Sequence, residues 1–356
     1  MACSRCLHVV VVGAGAAATE AVFVLREHGG AQVRITVIAP EEGPAPRALP
    51  VAEPFYALRH RVRPLAALAR ELFSEVVHGR VVAVDGHRHR VHLDGGRTVG
   101  YDALVLAVGA SPRHTIGQAL TLYGDAGATA VQRILAEDAP VVDFVIPPGV
   151  TRALSLYELA VHTGEAVRAR GTDVALRILT HERAPLEAFG ARTQKTLGAL
   201  LDDAGVAFEG SSSVFEGVDG LLRTNDAATI LPEARTIALP ILDGPSLPGV
   251  PATADGFIPI DDHGAVPGLA DVFAAGDATA CPVKHVDVAC AQAGTIADVL
   301  VRRAGGAVTP QPWRPTIHEH RFAEHGVGDL TLAGDRSADT AAILAALAGD
   351  DPTLVG

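Results

Sequence analysis

Six residues near the start of the chain, Gly13-Ala14-Gly15-Ala16-Ala17-Ala18, have the spacing G-x-G-x-x-A. The first glycine permits a tight turn, the second lets backbone approach a pyrophosphate, and the small last position lets a helix pack on a strand. A helix starting there offers free N–H groups and a partial positive charge to phosphate oxygens. Far along the chain, Gly276-Asp277-Ala278 sets an acid behind a glycine, and Cys281, Lys284 and Cys290 follow closely. An acid at a buried strand end is costly unless hydroxyls or N–H groups bond it; otherwise Asp277 is a solvated turn acid. Lys284 offers a cation, and it is one of only two lysines among 29 basic residues, so its retention is informative. Cys281 and Cys290 are either a redox pair or small core thiols.

These residues need elements to hold them. Residues 7–12 (LHVVVV) form an apolar, β-branched run that predicts a buried strand. A helix follows from 16 to 26, ended by Gly29-Gly30, and a second strand spans 33–38. Strand, glycine turn, helix and strand make a βαβ unit. Residues 43–54 are proline-rich, 62–73 read as a short helix, and 80–84 with 89–93 flank the turn signal Asp85-Gly86. Residues 101–108 form another buried strand, ending at Gly109. The middle repeats the theme: strand 141–146, turn 147–153, helix 154–170, strand 173–179, helix 192–204, then short strands over 213–242. Strand character returns over 257–276, followed by a helix over 286–304, a proline linker, and a weak helix at 339–348.

Composition narrows the class. At roughly 100–200 residues per domain, 356 residues predict two or three domains. An apolar share of 48% and a charged share of 20% are globular values. A net charge of -12 argues against non-specific nucleic-acid binding. The sequence has no uncharged apolar run of about 18 residues, so no transmembrane segment is expected. The start runs straight into a strand rather than a signal peptide, and four cysteines are too few for a disulfide scaffold. A cytoplasmic location is the expectation.

Three segments, YDALVLAVGAS (101–111), DVFAAGDAT (271–279) and PVKHVDVACAQAG (282–294), stand in this order behind the glycine turn. The ordered set resembles the FAD-dependent pyridine nucleotide-disulfide oxidoreductase superfamily over about residues 7–305. Within it the chain looks closest to the branch of sulfide:quinone oxidoreductases and type II NADH dehydrogenases, carrying RALPVAEPF (47–55), IPPGVTRALSLYELA (146–160) and GDATACPVK (276–284) as their bacterial relatives carry similar segments. The resemblance implies an α/β fold of two Rossmann-like domains, the second inserted in the first. The expected FAD-binding domain is 1–112 with 245–305, the second dinucleotide-binding-like domain is 113–244, and 306–356 is a short C-terminal segment.

The resemblance also implies roles. Gly13, Gly15, Ala16 and Ala17 would approach the FAD pyrophosphate. Ala39, Pro40 and Glu41 end the second strand, where an acid normally binds the ribose; here Glu41 or Glu42 reaches it from the turn or simply stays solvated. Arg47 would lie near FAD, Val82 would contact adenine, and Ala107, Val108 and Gly109 would pass close to the cofactor. Gly276 and Asp277 would bind its ribityl or pyrophosphate part, and Ala278 would sit by the flavin. Lys284 would lie near the isoalloxazine ring. Glu158 falls close to the flavin face in relatives, or caps its own helix.

The second turn reads Pro147-Pro148-Gly149-Val150-Thr151-Arg152-Ala153, with one glycine, and strand 173–179 ends without an acid at the usual place. Two prolines remove N–H donors. NAD(P)H is therefore either a second nucleotide, with Arg152 as a phosphate contact, or absent from this domain. Sulfide-oxidising relatives place a redox cysteine in this turn, and this sequence has none there. Cys3-x-x-Cys6 lacks the further ligands of a zinc site, and His87-Arg88-His89-Arg90-Val91-His92 reads as a solvated hairpin face, so no metal is expected. His318 and His320 sit in a tail without a basic-aromatic amphipathic pattern. The expected function is an FAD-dependent oxidoreductase passing electrons from a small donor, NAD(P)H or a sulfur species, to a quinone or other small acceptor. The alternative is a non-catalytic flavoprotein with a decayed donor site. A homodimer would follow the relatives.

Overall fold

The β-branched run at the start becomes strand β1 (Leu7–Val12), and it organises the first half of the molecule. In the computed structural model the described residues are 6–40, 74–114, 116–123, 139–150, 153–225 and 234–317, with 72, 134, 230, 330 and 331. Glu41, Glu42, Arg47, Arg152, Cys3, His318, His320, the 43–54 segment and the helices expected over 62–73 and 339–348 lie outside them, Leu72 excepted.

β1 leads through Gly13–Gly15 into α1 (Ala16–Gly29), and β2 (Val33–Ala39) and β3 (Glu75–His78) follow. A small antiparallel sheet comes next: β4 (Val81–Asp85), β5 (Arg90–Leu93) and β6 (Thr98–Gly100). The expected tight turn at Asp85-Gly86 is instead a four-residue connection, Gly86 to His89. His87 and His89 therefore sit in a turn and not on a strand face, and His89 stacks on Tyr101 with ring centroids 5.2 Å apart. β7 (Ala103–Leu106) completes this half.

The chain passes to a second unit within β8 (Ser111–Arg113). That unit contains β9 (Leu120–Thr121), β10 (Val141–Ile146), α2 (Leu154–Arg170), β11 (Ala175–Thr180), α3 (Ala191–Ala204), β12 (Val206–Glu209), the hairpin β13 (Val214–Glu216) and β14 (Leu222–Thr224), and β15 (Arg235–Ala238). Its sheet has the order β12-β11-β10-β15-β9, all parallel. The chain returns within β16 (Ile241–Asp243) and finishes the first unit with β17 (Val272–Ala274) and α4 (Val286–Arg303). The units draw on Met1–Pro46, Arg61–Ser111 and Asp243–Pro315, and on Arg47–His60, Pro112–Leu242 and Thr316–Gly356.

The first sheet has the order β17-β7-β1-β2-β3, with every pair parallel. Parallel strands are covered on both faces, which is why their sequences are continuously apolar. Alternation divides β1 between two cores. Val9 and Val11 face α1 and α4 with Leu25, Ile296 and Leu300. Val10 and Val12 face the antiparallel sheet with Val91 and Leu93. Alanines 17, 18 and 21 let α1 lie close, and no helix among the described residues is long and apolar enough to cross a membrane.

Candidate cofactor site

Three loops meet at the carboxyl ends of β1, β7 and β17. The sheet order departs from β1 in both directions, toward β2 on one side and β7 on the other. Such a switch in strand order is where open α/β sheets bind their ligands. Gly13 closes the base: its N–H donates to Ile38 O at 2.9 Å, while Ala107 N donates to Val12 O at 2.8 Å. Gly13 has φ +126°, and a Cβ there would stand 2.1 Å from Ala107 O, so only glycine fits.

Gly15 is the N-cap of α1, with no side chain to bond the free N–H groups of the first turn and no acid in that turn. A Cβ added at Gly15 would meet nothing within 4 Å. An uncapped helix start with open space before it suits a phosphate group, which would take the N–H bonds and the positive end of the dipole. Gly15 and Ala16 are exposed, whereas Ala17 is 6% exposed. Ala17 touches the third loop: a Cβ on Gly276 would come within 3.2 Å of the Ala17 methyl. Ala107 is buried, and Val108 and Gly109 are half-buried beside it.

The Gly276-Asp277-Ala278-Thr279 turn is held from behind by Gln292 of α4, a fully buried amide. Gly276 N donates to its Oε1 at 2.8 Å, and its Nε2 reaches Thr279 Oγ1 at 3.4 Å. The Lys284 ammonium donates to Thr279 O and lies 4.0 Å from the centroid of the Phe257 ring. At 3% exposure, burial pulls the Lys284 ammonium down to about 8, opposed by Cys281 and Asp277. The structure thus places Gly276, Ala278 and Lys284 around one turn, with Thr279 and Gln292 beside them. A lone amide inside the small apolar run VACAQAG was the signal for Gln292.

Asp277 is half-exposed: β17 ends at Ala274, and the following turn carries the acid past the buried strand end. Its carboxylate makes no hydrogen bond with any described residue, which leaves it open to the hydroxyls of a ligand. Cys281 is buried and Cys290 half-buried, and both are free thiols. Burial raises the Cys281 thiol, and burial with Glu20 and Asp287 raises Cys290 to about 11. Neither is a ready thiolate. Among the described residues, no cluster of His, Cys, Asp or Glu gathers to hold a metal.

Ala39 is 5% exposed and Pro40 half-buried at the end of β2, and Val82 is 47% exposed on β4 beside a register shift. The site formed by Gly13, Gly15, Ala107, Gly276 and Asp277 therefore fits a dinucleotide with a pyrophosphate and hydroxylated chain.

The second unit keeps the βαβ path but not the glycines. In the described part of its first turn, 147–150, Gly149 takes positive φ, at +82°. Glu158 lies on α2, 8% exposed. β11 ends at Thr180 without an acid, and the acid that follows, Glu182, stands two residues past the strand end at 6% exposure. Tyr157 OH donates to Glu182 Oε2 at 2.6 Å, and Glu187 N donates to Oε1 at 3.3 Å. Burial raises Glu182 to about 7 against these bonds.

The family model for pyridine nucleotide-disulphide oxidoreductases matches residues 7–293. No curated protein matches the chain. Solved structures do. The sulfide:quinone oxidoreductase of the hyperthermophilic bacterium Aquifex aeolicus shares 21% identity at a TM-score of 0.71, covering 83% of this chain and 77% of that one. Putidaredoxin reductase in its covalent complex with putidaredoxin shares 22% at 0.64, covering 88% and 79%. The ferredoxin reductase of the CYP199A2 system from Rhodopseudomonas palustris shares 16% at 0.65, covering 87% and 79%.

Proposed function

The chain belongs to the pyridine nucleotide-disulphide oxidoreductase family and is an FAD-dependent oxidoreductase, and from that premise we propose that its electrons come from a small sulfur donor and leave to a quinone or another small acceptor. The observation that carries the flavin site is the cradle of the first unit, where Gly13 has no room for a Cβ and α1 begins uncapped. FAD, when bound there, supplies the two-electron carrier. We assign its domain to 1–112 with 245–305, and 113–244 to the inserted domain.

Each residue has a task in this reading. The α1 N-terminus and Gly15 would hold the pyrophosphate, and Asp277 would accept hydrogen bonds from ribityl hydroxyls. Lys284 would set a positive charge where reduction makes the isoalloxazine ring anionic. Gln292 keeps the Gly276 turn in register. Two features favour a sulfur donor over NAD(P)H: the paired prolines before Gly149, which remove N–H donors, and the engagement of Glu182 by Tyr157. The raised thiols of Cys281 and Cys290 favour attack by a substrate thiolate over attack by a protein one. We place the protein in the cytoplasm on its low cysteine count, four in 356 residues.

The test is the visible absorption spectrum of the purified protein before and after anaerobic sulfide, a dithiol, NADH and NADPH. Bleaching by sulfide or the dithiol supports the sulfur donor. Bleaching by NADH or NADPH returns the second unit to nucleotide binding. A flavin spectrum that none of them bleaches favours a non-catalytic flavoprotein, and a colourless chain that takes up no FAD overturns the site.

A further inference from the structure

The end of β2 carries no carboxylate among the described residues; its last side chain is the buried methyl of Ala39, followed by Pro40. In a βαβ nucleotide unit an acid near this point bonds the adenosine ribose. The next strand ends level with it. Ala39 pairs with His78 in the parallel register, and Gly79 N donates to Ala39 O at 3.0 Å. Val76 packs with the α1-side core and Val77 with the opposite core, so alternation returns His78 to the α1 side, the side of Ala39. Its carbonyl is taken by the Arg97 guanidinium. Its ring is not satisfied: Nδ1 is buried without a hydrogen-bond partner. A buried, unbonded ring nitrogen is costly, and a ligand group at that spot removes the cost.

We propose that His78 is an FAD-binding residue, its Nδ1 exchanging a hydrogen bond with a ribose hydroxyl of the adenosine half. This rests on the flavin reading of the first unit. Phosphates at the start of α1 direct the adenosine over the ends of β2 and β3, and β3 lies one strand spacing, about 4.8 Å, beyond β2. A histidine on the neighbouring strand then does from the side what an acid does from the end of β2.

The experiment reconstitutes the deflavinated full-length chain with FAD and with its 2′-deoxyadenosine and 3′-deoxyadenosine analogues, reading dissociation constants from flavin fluorescence quenching. The native chain should bind FAD about tenfold tighter than at least one analogue, the worth of one hydrogen bond. His78→Ala should bind FAD and that analogue alike, and His78→Asn, which keeps a polar atom near the Nδ1 position, should recover part of the difference. Equal affinity of the native chain for all three ligands overturns the assignment, as does discrimination that survives in His78→Ala. Uniform weakening of all ligands with discrimination intact marks a structural role and overturns it too. A native chain that takes up no FAD overturns the flavin reading itself, and this assignment with it.

Discussion

Tyr157 OH and Glu182 Oε2 lie 2.6 Å apart inside the second unit, one on the first turns of α2 and the other just past β11. Burial holds the Glu182 carboxyl near 7, so the folded state keeps a proton that the unfolded chain loses near its ordinary value. That contribution is full at low pH and disappears as pH rises through about 7. Glu182→Gln should flatten the dependence of unfolding free energy on pH between 5 and 8, a change of about 2 kcal/mol across the window. Tyr157→Phe removes the donor and should cost about 1–3 kcal/mol at pH 7. Urea unfolding at several pH values checks both, and an unchanged slope for Glu182→Gln contradicts the assignment.

Gly13→Ala meets two obstacles at once, a positive φ and a carbonyl where its methyl must go. The strain alone is about 1–3 kcal/mol, before the clash with Ala107 O. The variant should lose its flavin on purification and unfold earlier. Full flavin content in a stable Gly13→Ala protein would count against the cradle.

Lys284→Ala should lower the flavin midpoint potential by about 30 mV, the equivalent of about 1.4 kcal/mol for two electrons. Because Lys284 loses its proton near 8, the difference should be large at pH 7 and shrink at pH 9. Redox titration at both pH values tests this. Identical midpoints at pH 7 would remove the charge from the mechanism.

Gln292→Leu strips the Gly276 N–H and the Thr279 hydroxyl of the partner they share in α4. The turn should loosen, and FAD should leave about tenfold faster, as expected for one unsatisfied buried donor. Stopped-flow transfer of flavin to an excess of a second apo-flavoprotein gives the rate. A rate equal to that of the native chain would show that the turn needs no brace.

What could be read from the sequence is what periodicity encodes. The runs at 7–12, 141–146 and 154–170 agree with β1, β10 and α2 because continuous apolar strands and a long helix leave local signals. The tight turn at Gly13 was legible for the same reason, a local conformation that one residue type serves. Gln292 stood out only as a lone amide in an apolar run, and the partners of Gln292, Glu182 and His78 were not legible. Each acts through a partner on another strand or helix: Gln292 on Gly276, Glu182 on Tyr157, His78 beside Ala39. Spacing along a chain says which face a residue takes, and not which residue it meets there. Asp277 was open between a bonded acid at a strand end and a solvated turn, because a strand run says nothing about where the turn after it carries the next side chain.

The burial of Lys284 also makes the chain chemically simple. Of its two lysine side chains, Lys195 is exposed on α3 and Lys284 is sealed against Phe257. An amine-reactive dye or linker thus has one side chain to find. Labelling confined to Lys195 would tether the folded protein to a surface in a single orientation, and any reagent that reached Lys284 would report the opening of the Gly276 turn.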